Sequence, residues 1–309
     1  MIAFVLSGGG NRGALEVGAL QALFGHGIQP DLLVGTSAGA MNAAFIAADP
    51  SLVGALTLGG LWKSLRRRDV FPGNALTMAW RVLTGQDGLM SSDRLRDLVL
   101  RNLPPGVTRF GDLRVHLYTT AADLNTATLY LFGDDPSTLI VDAVMASASL
   151  PITFPPYVYH GAQLVDGGIV ANVPIEIAMV KGATEIYAID LGYSGEPVPD
   201  AHGVVAIAQR MLTTLIYQQL LDDLEEAAQD PAVTLHHIRI PAFHGISMWD
   251  FGQAEAMIQA GKAITEEYLA NPQPLTVALS EYLAAVRPPA PTLPGATVYR
   301  PGRRMRSPR

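Results

Sequence analysis

Ile2-Ala3-Phe4-Val5-Leu6-Ser7-Gly8-Gly9-Gly10-Asn11-Arg12-Gly13 opens the chain and runs straight into Ala14-Leu15-Glu16-Val17-Gly18-Ala19-Leu20. A short, wholly apolar run closed by glycines reads as a buried strand, and the longer run from Gly13 to Phe24 reads as a helix. Strand, glycine turn and helix in that order are the repeating unit of α/β folds. Consecutive glycines let the backbone turn sharply and point its N–H groups into open space, where the helix N-terminus adds partial positive charge. The loop is therefore a nest for an anion. Gly8, Gly10 and Gly13 also fit G-x-G-x-x-G, so one candidate anion is a dinucleotide pyrophosphate. The acid that would bind its ribose should stand near the end of the second strand, yet Asp31 precedes that strand, which ends in Gly35-Thr36.

Downstream, the same alternation continues. Leu32–Gly35, Val115–Thr120, Thr128–Phe132, Glu185–Asp190 and Thr234–Ile240 read as strands, and Ala38–Ala48, Ser92–Asn102, Leu139–Ser147, Pro174–Lys181, Val204–Gln229 and Gly252–Ala270 as helices. This order predicts a mainly parallel sheet with helices on both faces and shows no fixed-period repeat. The composition agrees: 309 residues, 49% hydrophobic and 16% charged, exclude a disordered chain and suit one large domain. A net charge of −7 argues against nucleic-acid binding. Without cysteine there is no disulfide, thiolate metal site or cysteine nucleophile. The amino terminus lacks the basic region of a secretory signal and no stretch suits a membrane span, so the expected location is the cytoplasm. From Pro288 onward there are five arginines (Arg300, Arg303, Arg304, Arg306, Arg309), six prolines and no acid. Residues 288–309 are accordingly expected to form a disordered tail on a 1–287 domain.

A second glycine-bounded turn, Gly35-Thr36-Ser37-Ala38-Gly39, joins the strand Leu32–Gly35 to the apolar helix behind it. G-x-S-x-G in this context is a nucleophile elbow, which projects a serine hydroxyl from the sheet; small neighbours are needed because larger ones would crowd a reacting carbonyl. Both glycine-rich turns fall at carboxyl ends of parallel strands, where open α/β sheets bind ligands. A serine needs a base. Asp166-Gly167-Gly168 offers a carboxylate held at a tight turn, although D-G-G is also an ordinary hairpin turn. A carboxylate with a pKa near 3.9 is a weak base unless it is desolvated and held in place by hydrogen bonds. Histidine is the rival base, and His160 and His244 are the two placed to compete. No H-E-x-x-H, calcium loop or cysteine cluster suggests a metal.

Taken in order, Gly8–Gly13, Gly35–Gly39 and Asp166–Gly168 resemble the motifs of the bacterial patatin-like phospholipases. Ala146-Ser147-Ala148-Ser149-Leu150-Pro151, Phe154-Pro155-Pro156 and Asn172-Val173-Pro174 resemble further blocks of that family. The resemblance, which covers residues 2–192, implies a three-layer α/β/α sandwich and a Ser–Asp dyad without cofactor or calcium. On that basis Ser37 attacks the ester carbonyl and Asp166 takes its proton. The backbone N–H groups of Gly9, Gly10 and Asn11 hold the oxyanion, and Arg12 orders the loop. Asn11 departs from the pattern, since the family commonly has a small residue there.

The expected function is therefore hydrolysis of fatty-acyl esters in phospholipid, lysophospholipid or acylglycerol. The alternatives are acyl transfer through the same acyl-enzyme and nucleotide or phosphate binding by the glycine loop. Bulky apolar residues surround a cationic cluster in Leu61-Trp62-Lys63, Arg66-Arg67-Arg68, Phe71 and Trp80-Arg81. That span reads either as a solvated helix face over core aromatics or as a lid touching an anionic membrane surface.

Overall fold

Apolar runs separated by glycine turns form one eight-stranded sheet in the computed structural model, which describes residues 1–192 and 200–272. The strands are β1 (Ile2–Leu6), β2 (Leu32–Gly35), β3 (His116–Asp123), β4 (Thr128–Phe132), β5 (Tyr157–Tyr159), β6 (Ala162–Asp166), β7 (Glu185–Asp190) and β8 (Thr234–Arg239). They lie in the order β5-β6-β3-β2-β1-β7-β8, with β4 also paired to β3. Strands β3, β2, β1, β7 and β8 run parallel, whereas β4, β5 and β6 enter by antiparallel pairing. The sheet is thus mixed, with the expected parallel strands running from β3 to the β8 edge. The sequence hid the β5–β6 hairpin because β5 is three residues long, with its two tyrosines half-buried and Val158 exposed. Pairing with β4 and β6 also carries β3 on to Asp123, past its expected end at Thr120.

Both faces of the sheet are covered, which explains why its central strands read as continuous apolar runs rather than alternating ones. Phe4, Leu6 and Leu33 pack on one side with the helices Gly13–Gly25, Ala38–Ala48, Ile140–Ser147 and Ala254–Ala270. Ala3, Val5, Val34, Ile186 and Ala188 pack on the other with Ile175–Val180 and Val204–Gln229. Helices Gly13–Gly25 and Ala254–Ala270 touch at backbone distance: a Cβ at Gly18 would lie 2.0 Å from the Ile258 carbonyl oxygen, and one at Gly261 would lie 2.0 Å from that of Leu15.

Two helices of nine or more residues, Leu52–Ser64 and Ala75–Leu83, and the short helices Arg67–Val70 and Gly168–Ala171 add to those read from the sequence. The Leu52–Ser64 helix contains Gly54, Gly59 and Gly60, a composition that disfavours a helix interior. Ser51 caps it, accepting from the Gly54 N–H at 3.1 Å, and Leu58 and Trp62 anchor it in the core. The arginines after it do not share a face. Arg66 donates to the carbonyls of Lys63, Ser64 and Leu65, Arg67 lies over the Trp249 ring, and Arg68 projects into solvent. Residues 288–309, expected as a tail, lie outside the described residues, as does the end of the 1–287 domain.

From β1 the chain steps to β2 on one side and later returns to β7 on the other. The crevice at the carboxyl end of β1 is therefore a topological switch point, where sheets of this kind place their ligands.

Candidate active site

At the end of β2 the backbone reverses at Ser37, which adopts φ 56 and ψ −120. An L-residue persists in such a region only where its surroundings hold it there. The Ser37 N–H donates to Ser147 Oγ at 2.8 Å, and the Gly39 N–H donates to the Thr36 carbonyl at 2.8 Å. Thr36 Oγ1 bonds both Thr120 Oγ1 on β3 (2.7 Å) and the Ala171 carbonyl (2.8 Å). Glycine is sterically required on both sides of the turn. A Cβ at Gly35 would meet the Gly39 carbonyl at 2.5 Å, and one at Gly39 would meet the Leu6 carbonyl at 2.4 Å.

The hydroxyl thus presented donates from Ser37 Oγ to Asp166 Oδ2 at 2.5 Å. Asp166 ends β6, where its N–H donates to the Ser149 carbonyl at 2.9 Å and its Oδ1 accepts the Gly168 N–H at 2.8 Å. Gly167 lets β6 press on β3, since a Cβ there would lie 2.3 Å from Thr120 Oγ1. Burial raises the carboxyl pKa to about 6, against the opposing pull of its hydrogen bonds from Ser37 and Gly168. Asp166 is thus a stronger base than a solvated carboxylate while still ionised at neutral pH. This supplies the desolvation and positioning that a D-G-G turn alone leaves open.

The glycine loop faces the same space. Gly8 donates its N–H to the Asn172 carbonyl at 3.1 Å, and Gly10 takes φ +60. Among the described residues the N–H groups of Gly9 and Gly10 have no acceptor, and both glycines line a cavity of about 680 Å³ together with Ser37 and Asp166. Asn11 is buried, and its side-chain amide donates to the carbonyls of Ser247 (3.0 Å) and Asp250 (2.6 Å). It ties the loop to the 247–250 segment, and any part it plays at Ser37 is through its backbone N–H. Arg12 Nη1 donates to the Leu191 carbonyl at 2.7 Å and to His244 Nδ1 at 2.8 Å, latching the loop to the end of β7. Burial lowers the Arg12 pKa, and nearby Asp190 opposes that shift.

Neither rival histidine bonds Ser37 or Asp166. His244 Nδ1 is committed to Arg12, and burial together with the neighbouring guanidinium lowers its pKa to about 4, so it is neutral. His160 is exposed in the β5–β6 turn and packs edge-on to Tyr159. Beyond the reacting end the cavity wall is apolar, with Trp62, Leu65, Phe71, Val144, Phe154 and Trp249. Phe71 stacks on Phe154 at 5.5 Å and meets Trp249 edge-on at 4.4 Å. A pyrophosphate in the glycine loop would lie beside the Asp166 carboxylate, whereas a neutral ester with an apolar chain matches the wall. Sequence reasoning did not assign a role to Thr36, Thr120, Ser147 or Asn172. Ser147 and Asn172 stand in the blocks Ala146–Pro151 and Asn172–Pro174, but their partners, Ser37 and Gly8, are far away along the chain.

The family model for patatin-like phospholipases matches residues 4–179, more than half of the chain. This chain belongs to that family. Among its relatives are proteins named lysophospholipase NTE1. That of the yeast Meyerozyma guilliermondii is 29% identical over 204 residues, covering 65% of this chain and 13% of its own length. That of Lodderomyces elongisporus is 25% identical over 282 residues, covering 84% and 18%. The patatin-like chain thus spans less than a fifth of these curated relatives. They are yeast proteins, so family membership stands without the bacterial restriction. Among solved structures, VipD from Legionella pneumophila aligns with a TM-score of 0.45 at 16% identity, covering 87% of this chain and 66% of that one. ExoU of Pseudomonas aeruginosa, in its complex with SpcU, aligns at 0.42 and 20% identity, covering 87% and 51%.

Proposed function

We propose that this patatin-like chain is a serine hydrolase that cleaves fatty-acyl esters of phospholipids or lysophospholipids in the cytoplasm. The observation behind this reading is the 2.5 Å hydrogen bond from Ser37 Oγ to a buried Asp166 at the floor of an apolar cavity. In the mechanism proposed, Ser37 Oγ attacks the ester carbonyl as its proton passes to Asp166 Oδ2. The carbonyl π electrons move onto oxygen, and the N–H groups of Gly9, Gly10 and Asn11 receive that oxyanion. Each donor is worth about 3–4 kcal/mol in the transition state. The intermediate collapses, the C–O bond to the leaving alcohol breaks, and Asp166 returns the proton to that alcohol. Water then attacks the acyl-serine, gives its proton to Asp166, and releases the fatty acid as the proton returns to Ser37. Arg12 acts through position, holding the glycine loop against β7.

Support for an acyl substrate comes from the apolar lining and from membership of a phospholipase family. The yeast relatives are named lysophospholipases, which makes lysophospholipid the first substrate to try. A fluorophosphonate probe followed by peptide mapping tests the nucleophile. The label should fall on Ser37 and disappear in Ser37→Ala, which should also lose hydrolysis of nitrophenyl butyrate. Equal labelling or turnover in Ser37→Ala refutes the assignment. Adding an acceptor alcohol then separates hydrolysis from transfer: free fatty acid should dominate the products.

A further inference from the structure

The Ala75–Leu83 helix turns most of its apolar residues to solvent. No residue of it is buried, and its half-buried positions are Met78 and Arg81. At 100° per residue, Leu76, Ala79, Trp80 and Leu83 share one face. That apolar face points to solvent, with Leu76 81%, Trp80 68% and Leu83 82% exposed, while Arg81 turns inward and donates through Nε to the Gly88 carbonyl at 2.7 Å. Met78 is the one apolar side chain of the helix packed against the core, and a helix whose remaining large apolar residues face solvent has the amphipathicity of an interfacial helix rather than of a core one. It is well made, since Asn74 caps it by accepting from the N–H groups of Leu76 (3.0 Å) and Thr77 (3.1 Å).

Charge selects the kind of surface. Residues 61–83 hold Lys63, Arg66, Arg67, Arg68 and Arg81 against one acid, Asp69, in a chain of net charge −7; Lys63 is paired with Glu255 at 3.0 Å, so the four arginines carry the excess. Arg66 and Arg81 bond carbonyls and Arg67 lies over an aromatic ring, so these three contacts leave their charges uncancelled. Arg68 is exposed at 4.0 Å from Asp69. Just upstream of the helix, Phe71 is itself part of the cavity wall.

We infer that Ala75–Leu83 docks this protein on an anionic phospholipid bilayer, with Leu76, Trp80 and Leu83 among the acyl chains and the neighbouring arginines at the headgroups. The inference builds on the proposed lipid hydrolase, whose substrate would be drawn from such a surface. Binding is tested separately from turnover by using the whole 309-residue chain with Ser37→Ala, which should consume no lipid. It is sedimented with vesicles of phosphatidylcholine containing phosphatidylglycerol and with vesicles of phosphatidylcholine alone. It should partition onto the first, about tenfold less onto the second, and less as salt rises. Adding Leu76→Ser, Trp80→Ser and Leu83→Ser together should weaken partition about tenfold. In the Ser37 background the same three changes should leave nitrophenyl butyrate hydrolysis within about twofold, because these side chains are exposed. If the triple variant melts early, Trp80→Ser alone is used, with the blue shift of tryptophan emission on vesicle addition as the signal it should reduce.

Equal partition of parent and variant, or no partition of the parent, overturns the inference. So does a parent dimer that the triple change dissociates without altering vesicle binding, which would assign the face to a second copy of the chain. Ester hydrolysis without vesicle binding removes only the docking helix. Vesicle binding without ester hydrolysis removes only the proposed hydrolase.

Discussion

A serine hydroxyl becomes a nucleophile only if its proton has somewhere to go, and among the described residues the acceptor that Ser37 bonds is Asp166. If Asp166 is the base, turnover follows its ionised fraction. With a pKa raised to about 6 by burial, kcat/KM for a soluble ester should be flat above pH 7 and fall about tenfold per unit below pH 6. A profile still flat at pH 4.5 removes Asp166 from that role. Asp166→Asn should lower kcat by about 10²–10⁴-fold, the usual contribution of a general base. Stability should move the other way. A carboxyl whose folded pKa lies above its unfolded value of 3.8 opposes folding as pH rises from there to about 6, and the full penalty persists above that. Asparagine carries no charge to desolvate and keeps an oxygen for the Gly168 N–H, so Asp166→Asn should melt no lower than the parent at pH 7.5. A clear drop in melting temperature would show that the buried charge is net stabilising.

The elbow is where element geometry and chemistry compete. Ser37 at φ 56 and ψ −120 is unfavourable for any residue with a Cβ, by about 1–3 kcal/mol. Ser37→Ala and Ser37→Gly both delete the hydroxyl, but only glycine relieves the strain. Ser37→Gly should therefore be about 1 kcal/mol more stable than Ser37→Ala by denaturant titration, and equal midpoints would mean that the strain is negligible. Gly39→Ala tests the other side of the turn. Its methyl would lie 2.4 Å from the Leu6 carbonyl and 2.6 Å from that of Ser7, so it should destabilise the fold by at least about 2 kcal/mol and slow fluorophosphonate labelling of Ser37. Normal stability and labelling would mean that the turn can shift. Such glycine-bounded turns were legible in the sequence because their requirement is local: a strand, a reversal and a helix follow one another within about ten residues. The β5–β6 hairpin and the Leu52–Ser64 helix were not, since a three-residue strand and a helix with three internal glycines are held by partners elsewhere. Ser147 shows the same limit within the site. In sequence it is one serine in an apolar block, and its bond to the Ser37 N–H exists only after the sheet has brought β2 beside β3 and the Ile140–Ser147 helix over them.

At the scale of the whole molecule, the parallel centre of the sheet gathers the ends of β1, β2 and β7 into one crevice, and a buried polar network ties those ends together. Glu16 lies at its middle and is fully buried. Its Oε2 accepts from Asn42 Nδ2 at 2.8 Å and its Oε1 from Ser7 Oγ at 3.5 Å. Asn42 Oδ1 in turn accepts from Trp62 Nε1 at 2.8 Å, and Ser7 Oγ accepts the Leu191 N–H at 3.0 Å. The glycine loop, the elbow helix, the cavity wall and the end of β7 therefore share one carboxyl group, which the sequence presents as an ordinary acid on an apolar helix. Burial raises its pKa to about 8, more than the hydrogen bonds from Asn42 and Ser7 lower it, so at neutral pH the folded protein holds a proton that the unfolded chain releases. Because the folded pKa is the higher one, stability is unaffected below about pH 4.5, declines as pH rises from there to about 8, and then levels off. Glu16→Gln has no proton to lose, yet it can still accept from Asn42 and donate to Ser7. It should match the parent near pH 5, exceed it by ~2–4 kcal/mol at pH 8.5, and show a shallower fall between them. Thermal melts of both proteins at pH 5, 7 and 8.5 decide the matter. Parallel curves would mean that the buried carboxyl is already ionised in the folded state, and a variant less stable at every pH would mean that Ser7 and Asn42 cannot accept the amide in its place.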